Sequence, residues 1–121
     1  MKVVATRESV AMGDDVLAPH EATWELPGQL GILGVLAALE RDRYLPVVGL
    51  STWVARSPDG AALAVLARRW RTPRLLPGTR DDVVGLMDAD GIARLHFEYR
   101  AQDDPDAVYD DLCEAQSQPR R

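Results

Sequence analysis

One histidine lies where a strand would place it beside both an acid and a base. Residues 93–100 alternate polar and apolar side chains, which predicts a half-buried strand. Side chains two positions apart share a strand face, so His96 would have Arg94 and Glu98 as neighbours on the polar face. A histidine oriented by a carboxylate is typical of a general base. The alternative is a solvated face whose charges balance each other, and the sequence leaves both interpretations open.

The other residues that could do chemistry lack sequence partners. Cys113 precedes Glu114 in a predicted helix, and negative charge disfavours a reactive thiolate. His20 and His96 are the two histidines, and no spacing typical of a zinc site is present. Asp88-Ala89-Asp90-Gly91 resembles a fragment of a calcium loop without its closing acid, so a turn into the next strand is the simpler interpretation. We therefore predict no catalytic residue, no metal site and no cofactor.

Charge is distributed unevenly along the 121 residues. The net charge is −5, from 14 basic and 19 acidic side chains, yet residues 60–80 contain five arginines and no acid. Residues 81–114 reverse this balance, with eleven acids and two arginines. We call Arg68, Arg69, Trp70, Arg71 and Arg74 the arginine segment, and Asp103, Asp104, Asp106, Asp110 and Asp111 the aspartate cluster.

The two charged segments indicate a charged partner or an internal pairing. Arginines interleaved with Trp70 could bind a nucleic-acid backbone, but the negative net charge repels polyanions, so we do not expect a nucleic-acid partner. The segments could instead pair with each other inside the fold, or both could be solvated. Of the three tryptophans, Trp24 follows an inward alternation and is predicted to be core, whereas Trp70 is predicted to be an interface residue.

The predicted elements position these residues. Strands are expected at residues 2–10, 21–26, 47–56, 62–70 and 93–100, a main helix at 30–43, a helical turn at 83–86 capped by Thr79, and a last helix that begins after Asp104. Ser57-Pro58-Asp59-Gly60 predicts a hairpin turn, and residues 71–79 a loop or an edge extension. Gly31 and Gly34 are expected to let the main helix pack closely on the sheet.

This order of elements resembles the ubiquitin-like β-grasp fold over residues 2–100. The resemblance implies an α+β fold: a single-layer mixed sheet of about five strands packed by one main helix, in the order ββαββ(α)β, here followed by a C-terminal helix. The sequence printed ends Gln118-Pro119-Arg120-Arg121, without the diglycine through which ubiquitin relatives are conjugated. The resemblance therefore implies a binding module. We expect one domain at residues 1–115 and a polar tail at 116–121.

Composition and pattern favour a small acidic protein-interaction domain without a catalytic site. An immunity-type or antitoxin-like inhibitor is one version, in which a basic protein partner meets the aspartate cluster. The alternative is an enzyme or enzyme subunit that binds a small anionic ligand through residues 68–74, with His96, Arg94 and Glu98 nearby. We expect no membrane span, a cytoplasmic location and a bacterial source, and a homo-oligomer stays open.

Overall fold

The part of the chain that the structure describes forms a six-stranded mixed sheet with two α-helices, which confirms the predicted α+β class. The computed structural model describes residues 1–8, 21–45, 51–101 and 103–117. The strands are β1 (Lys2–Arg7), β2 (Ala22–Glu25), β3 (Thr52–Arg56), β4 (Ala62–Ala67), β5 (Arg74–Leu75) and β6 (Ala93–Tyr99). The helices are α1 (Ile32–Arg41) and α2 (Pro105–Ser117), with a 3-10 turn at Val84–Leu86.

The first and last strands lie side by side in the middle of the sheet. The strand order is β2-β1-β6-β3-β4-β5, in which β1 and β6 are parallel and the other neighbouring strands are antiparallel. A parallel pair requires a crossover connection, because its strands run in the same direction. The sheet therefore has two edges, β2 and β5, and β6 holds His96 next to β1 and β3.

One face of the sheet is covered by α1. Its apolar side chains recur with helical spacing, and Val35 and Leu36 are completely buried. They pack into a cluster of sixteen buried residues that includes Phe97, also completely buried, and Trp53. Because a packed apolar face of this size is the main source of stability in a small domain, α1 is fixed firmly on this side.

The start of α1 depends on a distant loop. No side chain of its own caps the helix at Gly31; instead Asp81 accepts a hydrogen bond from the backbone N–H of Leu33 at 2.9 Å. A Cβ at Gly31 would collide with the backbone oxygen and carboxylate of Asp81. The expectation that Gly31 serves close packing on the sheet is therefore wrong, since it makes room for the capping loop. Gly34 likewise packs against the side chain of Leu30.

The opposite face is partly covered by α2. Val54 lies between Trp53 and Ala55 of β3, so strand alternation directs it away from α1. It forms a second cluster of five buried residues with Ala62, Val65, Leu76 and Val108 of α2. Trp70, Tyr109, Leu112 and Cys113 pack around this cluster. The helix α2 thus rests on β3, β4 and the chain that follows them.

Several predicted boundaries shift. The strand expected at 62–70 ends at Ala67, so Trp70 lies in the following turn. Residues 71–79, predicted to be a loop or an edge extension, contain the short edge strand β5. The helical turn begins after Val83 without a side-chain cap, so the cap predicted at Thr79 is wrong; the Asp82 carboxylate accepts the Val84 N–H at 3.1 Å. Helix α2 extends through Ser117 into the predicted tail. His20 lies outside the described residues, as do all of residues 9–20, 46–50, 102 and 118–121.

The hairpin between β3 and β4 is confirmed. Gly60 donates its N–H to the Ser57 carbonyl at 2.9 Å and has φ +90°, a conformation that glycine adopts at no steric cost. The β3–β4 register shifts between Ala55 and Arg56, beside the turn. Both Leu63 and Ala64 consequently belong to the cluster beneath α1.

Candidate functional site

The arginine segment meets the start of α2. Arg69 binds two carboxylates with Nη2, Asp104 Oδ1 at 2.5 Å and Asp106 Oδ2 at 3.0 Å. Arg74 Nη1 lies 3.3 Å from Asp106 Oδ1. The sequence left open whether the two segments pair, and the structure shows that these four residues do. We call this network the arginine–aspartate clamp.

Aromatic rings complete the clamp. The Arg74 guanidinium carbon lies 3.9 Å from the centre of the Trp70 ring, within the range of a cation–π contact. The Trp70 and Tyr109 rings meet edge to face at 6.3 Å. Tyr109 also donates its hydroxyl to the Leu75 carbonyl at 2.9 Å. Trp70, predicted to be an interface residue, is half-buried and has one ring face occupied by Arg74, so its contacts here are internal.

The rest of the aspartate cluster is placed differently. Asp110 and Asp111 lie on the outward side of α2, are exposed, and have Glu114 one turn further along the same side. Among the described residues, no cation forms an ion pair with Asp103, Asp110 or Asp111. The cluster is therefore divided into a neutralised pair at the start of α2 and an exposed acidic stretch. We call Asp110, Asp111 and Glu114 the outer acidic face.

The predicted His96 row lies on the part of the sheet that faces away from α1. His96 Nδ1 is 2.7 Å from the Thr6 hydroxyl. Glu98 instead accepts hydrogen bonds from Arg100 at 2.7 Å and Arg56 at 3.2 Å. Burial alone would raise the pKa of Glu98, but the two arginines outweigh it and lower that pKa below its ordinary value. The Glu98 carboxylate is thus hydrogen-bonded to the two arginines. His96 contacts the Thr6 hydroxyl instead.

Arg94, the third residue of the row, contacts the turn that precedes β6. Its Nε donates to Asp88 at 2.9 Å. The other oxygen of Asp88 accepts the N–H groups of Asp90 and Ile92, so the carboxylate closes the turn before β6. The hydrogen bond from Arg94 and these backbone N–H groups lower the pKa of Asp88. The predicted turn at Asp88–Gly91 is confirmed by these bonds and by the Gly91 N–H, which donates to the Asp88 carbonyl at 3.0 Å.

The structure does not bring His96 together with the arginine segment. The strand β6 is separated by β3 and β4 from β5, which carries Arg74, so these two strands lie about 14 Å apart at a spacing of about 4.8 Å per strand. The residues named from the sequence thus form two groups, the clamp with the outer acidic face, and the His96 row.

Arg68 and Trp70 line a separate cavity of about 490 Å³ on the α1 side. Its walls include Trp53 of β3 and Arg43 and Glu40 at the end of α1. Burial raises the pKa of Glu40. Arg43 has φ +56°, an uncommon conformation for a residue other than glycine. This cavity has the volume and the aromatic walls of a small-molecule site.

Sequence reasoning missed Asp81, which caps α1, and Thr6, which contacts His96. Neither has a local sequence signal, because their partners lie 48 and 90 residues away. The sequence did predict a turn at Asp88, because an Asp three residues before Gly91 is typical of a turn.

Among residues 1–8, 21–45, 51–101 and 103–117, no group of three or more His, Cys, Asp or Glu side chains is placed to hold a metal ion. No helix in that part of the chain is both long and apolar enough to cross a bilayer. Comparison of the chain with protein-family models, curated proteins and solved structures finds no match.

Proposed function

We propose that the chain is a non-catalytic interaction domain that binds a basic protein through the outer acidic face of α2. The observation behind this proposal is the division of the aspartate cluster. Arg69 and Arg74 neutralise Asp104 and Asp106, and among the described residues no cation forms an ion pair with Asp110 or Asp111 further along the helix. An exposed helix face with successive carboxylates suits a partner that presents arginine or lysine.

Electrostatics would act mainly on the rate of association. With a net charge of −5, the whole molecule attracts a basic partner from a distance, and the outer acidic face would orient the encounter. A carboxylate row can substitute for the phosphates of a polyanion, which is how an immunity-type or antitoxin-like inhibitor would block a basic nuclease. Binding should therefore weaken as salt screens the charges.

The test compares proteins captured from an extract of the source cell. The chain and the variant Asp110→Asn/Asp111→Asn/Glu114→Gln are immobilised separately, and retained proteins are eluted with salt and identified by mass spectrometry. We expect the unaltered chain to retain a protein with a net positive charge. The variant, which removes three charges from the outer acidic face, should lose it.

A matched control removes three charges elsewhere. The variant Glu21→Gln/Glu25→Gln/Asp90→Asn has the same net charge as the α2 variant but alters exposed residues away from α2. We expect this control to retain the basic protein nearly as well as the unaltered chain. Equal loss from both variants, or no retained protein together with turnover of a small molecule, would contradict the proposal.

A second candidate is the binding of a small anionic ligand near the arginine segment. The cavity of about 490 Å³ supports it, because Arg43 and Arg68 lie beside the indole walls of Trp53 and Trp70. Such a ligand would quench tryptophan fluorescence in a titration with aromatic carboxylates and phosphates. Saturable quenching that Arg68→Gln removes would favour this candidate, and unchanged fluorescence would exclude it.

The β-grasp resemblance, a cytoplasmic location and a bacterial source stay predictions. A binding module is what the resemblance implies, and it agrees with an interaction domain. A determination of where the natural protein resides, by fractionation of the source cell, tests the location.

A further inference from the structure

The β5 edge of the sheet is closed to strand addition. Leu76 donates its N–H towards β4 at 2.9 Å, so antiparallel alternation directs the N–H and carbonyl of Leu75 outwards. That carbonyl already accepts the hydroxyl of Tyr109. Pro73 and Pro77 flank the strand and have no N–H to offer. An added strand would find few bonding groups here.

The β2 edge is different. Leu26 donates its N–H to the Met1 carbonyl at 2.9 Å, so the same alternation directs the backbone groups of Trp24 towards β1. The N–H and carbonyl groups of Thr23 and Glu25 therefore point away from the sheet. Within the described part of the chain, no residue bonds to these outward groups. The edge offers two donors and two acceptors.

We propose that a second copy of this chain pairs with β2 through its own β2, antiparallel and with Trp24 opposite Trp24. In this register Thr23 of each copy faces Glu25 of the other. These are the residues with outward N–H and carbonyl groups, so the pair closes four backbone hydrogen bonds. The two sheets join into one continuous sheet about a twofold axis.

The side chains of β2 are self-complementary in this register. On the α1 side, Trp24 meets Trp24 and Ala22 meets Leu26, which extends an apolar surface that is only half-buried in one copy. On the other side Thr23 meets Glu25, so no glutamate faces another. Cross-strand pairs of this kind stabilise a sheet, whereas opposed like charges destabilise it.

Local charge favours a second copy over a basic peptide at this edge. The N-terminal amine lies 3.9 Å from the Glu25 carboxylate, and Lys2 is the cross-strand neighbour of Glu25. The glutamate charge is thus offset inside one copy. The edge is also remote from the outer acidic face, because β2 and the strands under α2 lie on opposite sides of β1 and β6. Dimerisation would leave the outer acidic face open to a basic partner. The dimer therefore goes beyond the proposed function, and either one can fail without the other.

Substitutions of Thr23 test the register, because one should weaken the dimer and another should strengthen it. Thr23→Glu places two pairs of opposed glutamates in the dimer, and Thr23→Lys places two pairs of lysine and glutamate there. We expect the dissociation constant to rise roughly two- to thirtyfold with Thr23→Glu and to fall by a similar factor with Thr23→Lys. Sedimentation equilibrium from about 10 μM to about 1 mM protein measures these constants, since a short strand pair gives a weak dimer.

A backbone variant tests the hydrogen bonds themselves. Thr23→Pro removes an N–H that β1 does not use, so the fold should persist while the dimer weakens at least tenfold. Thr23→Val keeps the N–H and is the matched control, and circular dichroism verifies the fold of each variant. A chain that stays monomeric up to about 1 mM overturns the proposal. A dimer whose dissociation constant is the same for Thr23→Glu and Thr23→Lys also overturns it.

Discussion

The two faces of the sheet are covered by helices that are held by different kinds of contact. Between α1 and the sheet, the cluster contains sixteen buried residues among those described, all apolar, with Val35, Leu36 and Phe97 fully enclosed. Beneath α2 lie five, and the start of that helix is held by the arginine–aspartate clamp, whose side chains remain about half exposed. Exposed ion pairs contribute little to stability, whereas buried apolar area contributes most of it.

The difference indicates that the two helices have different roles. Helix α1 is part of the main core and should unfold only with the whole domain. Helix α2 is docked by a small apolar cluster and by interactions that salt weakens. It should open at a lower cost in free energy than the rest of the protein, which is common for segments that bind partners.

The largest effect should follow from a cavity beneath α1. Leu36→Ala removes a fully buried side chain from the larger cluster, and we expect the free energy of unfolding to fall by about 3–5 kcal/mol. Urea denaturation monitored by far-ultraviolet circular dichroism measures the change. A loss below about 1 kcal/mol would mean that the α1 side is not the main core.

A cavity beneath α2 should be less costly. Val108→Ala shortens the α2 residue of the smaller buried cluster, and we expect a loss of about 1–2 kcal/mol. The loss should appear as increased amide exchange in α2, while α1 keeps its protection. If Val108→Ala destabilised α1 amides by the same amount, the two faces would not be separable.

Glu98 should give a smaller effect that depends on pH. Its side chain is 28% exposed and its pKa is lowered by Arg100 and Arg56 in the folded state. A lowered pKa stabilises the fold above the unfolded value of 4.5, and this stabilisation decreases as the pH falls through the folded value. We expect Glu98→Gln to cost about 1 kcal/mol at pH 7 and progressively less below pH 4.5.

Urea denaturation of both proteins between pH 7 and pH 3 checks the Glu98 prediction. Glu25→Gln is the control, because the Glu25 side chain is 76% exposed and its removal should change little at either pH. A cost of Glu98→Gln that is the same at every pH would show that the two arginines do not act on an ionised Glu98.

The smallest effect is expected at the clamp. Arg69 and its two aspartate partners are about half exposed, so Arg69→Gln should cost about 0.2–1 kcal/mol, and the cost should disappear at high salt. Arg71→Gln alters an exposed arginine of the same segment and serves as the control. Thermal denaturation at low and high salt compares the two. Equal effects of Arg69→Gln and Arg71→Gln would contradict a specific clamp.

Local patterns were sufficient for most strands and for the hairpin. The alternation around His96 predicted β6, and Pro58 and Gly60 predicted the turn, because those signals lie within a few residues. The α+β class followed from the order of such elements. Boundaries were less certain where a loop continued a strand, as after Ala67.

The candidate site depended on long-range geometry. The sequence showed both the arginine segment and the aspartate cluster, but it could not show that Arg69 and Asp104, 35 residues apart, would meet while Asp110 would not. The cap of α1 by Asp81 was hidden for the same reason, since the fold alone brings Asp81 to Gly31.

Native-state hydrogen exchange at two salt concentrations tests most directly how α2 is held. At about 0.05 M salt we expect α2 amides to exchange through an opening that costs less free energy than global unfolding, and at about 0.5 M salt that cost should fall further. Amides of α1 should exchange only with global unfolding at both concentrations. Equal protection of the two helices, unaffected by salt, would contradict an α2 docked by the arginine–aspartate clamp.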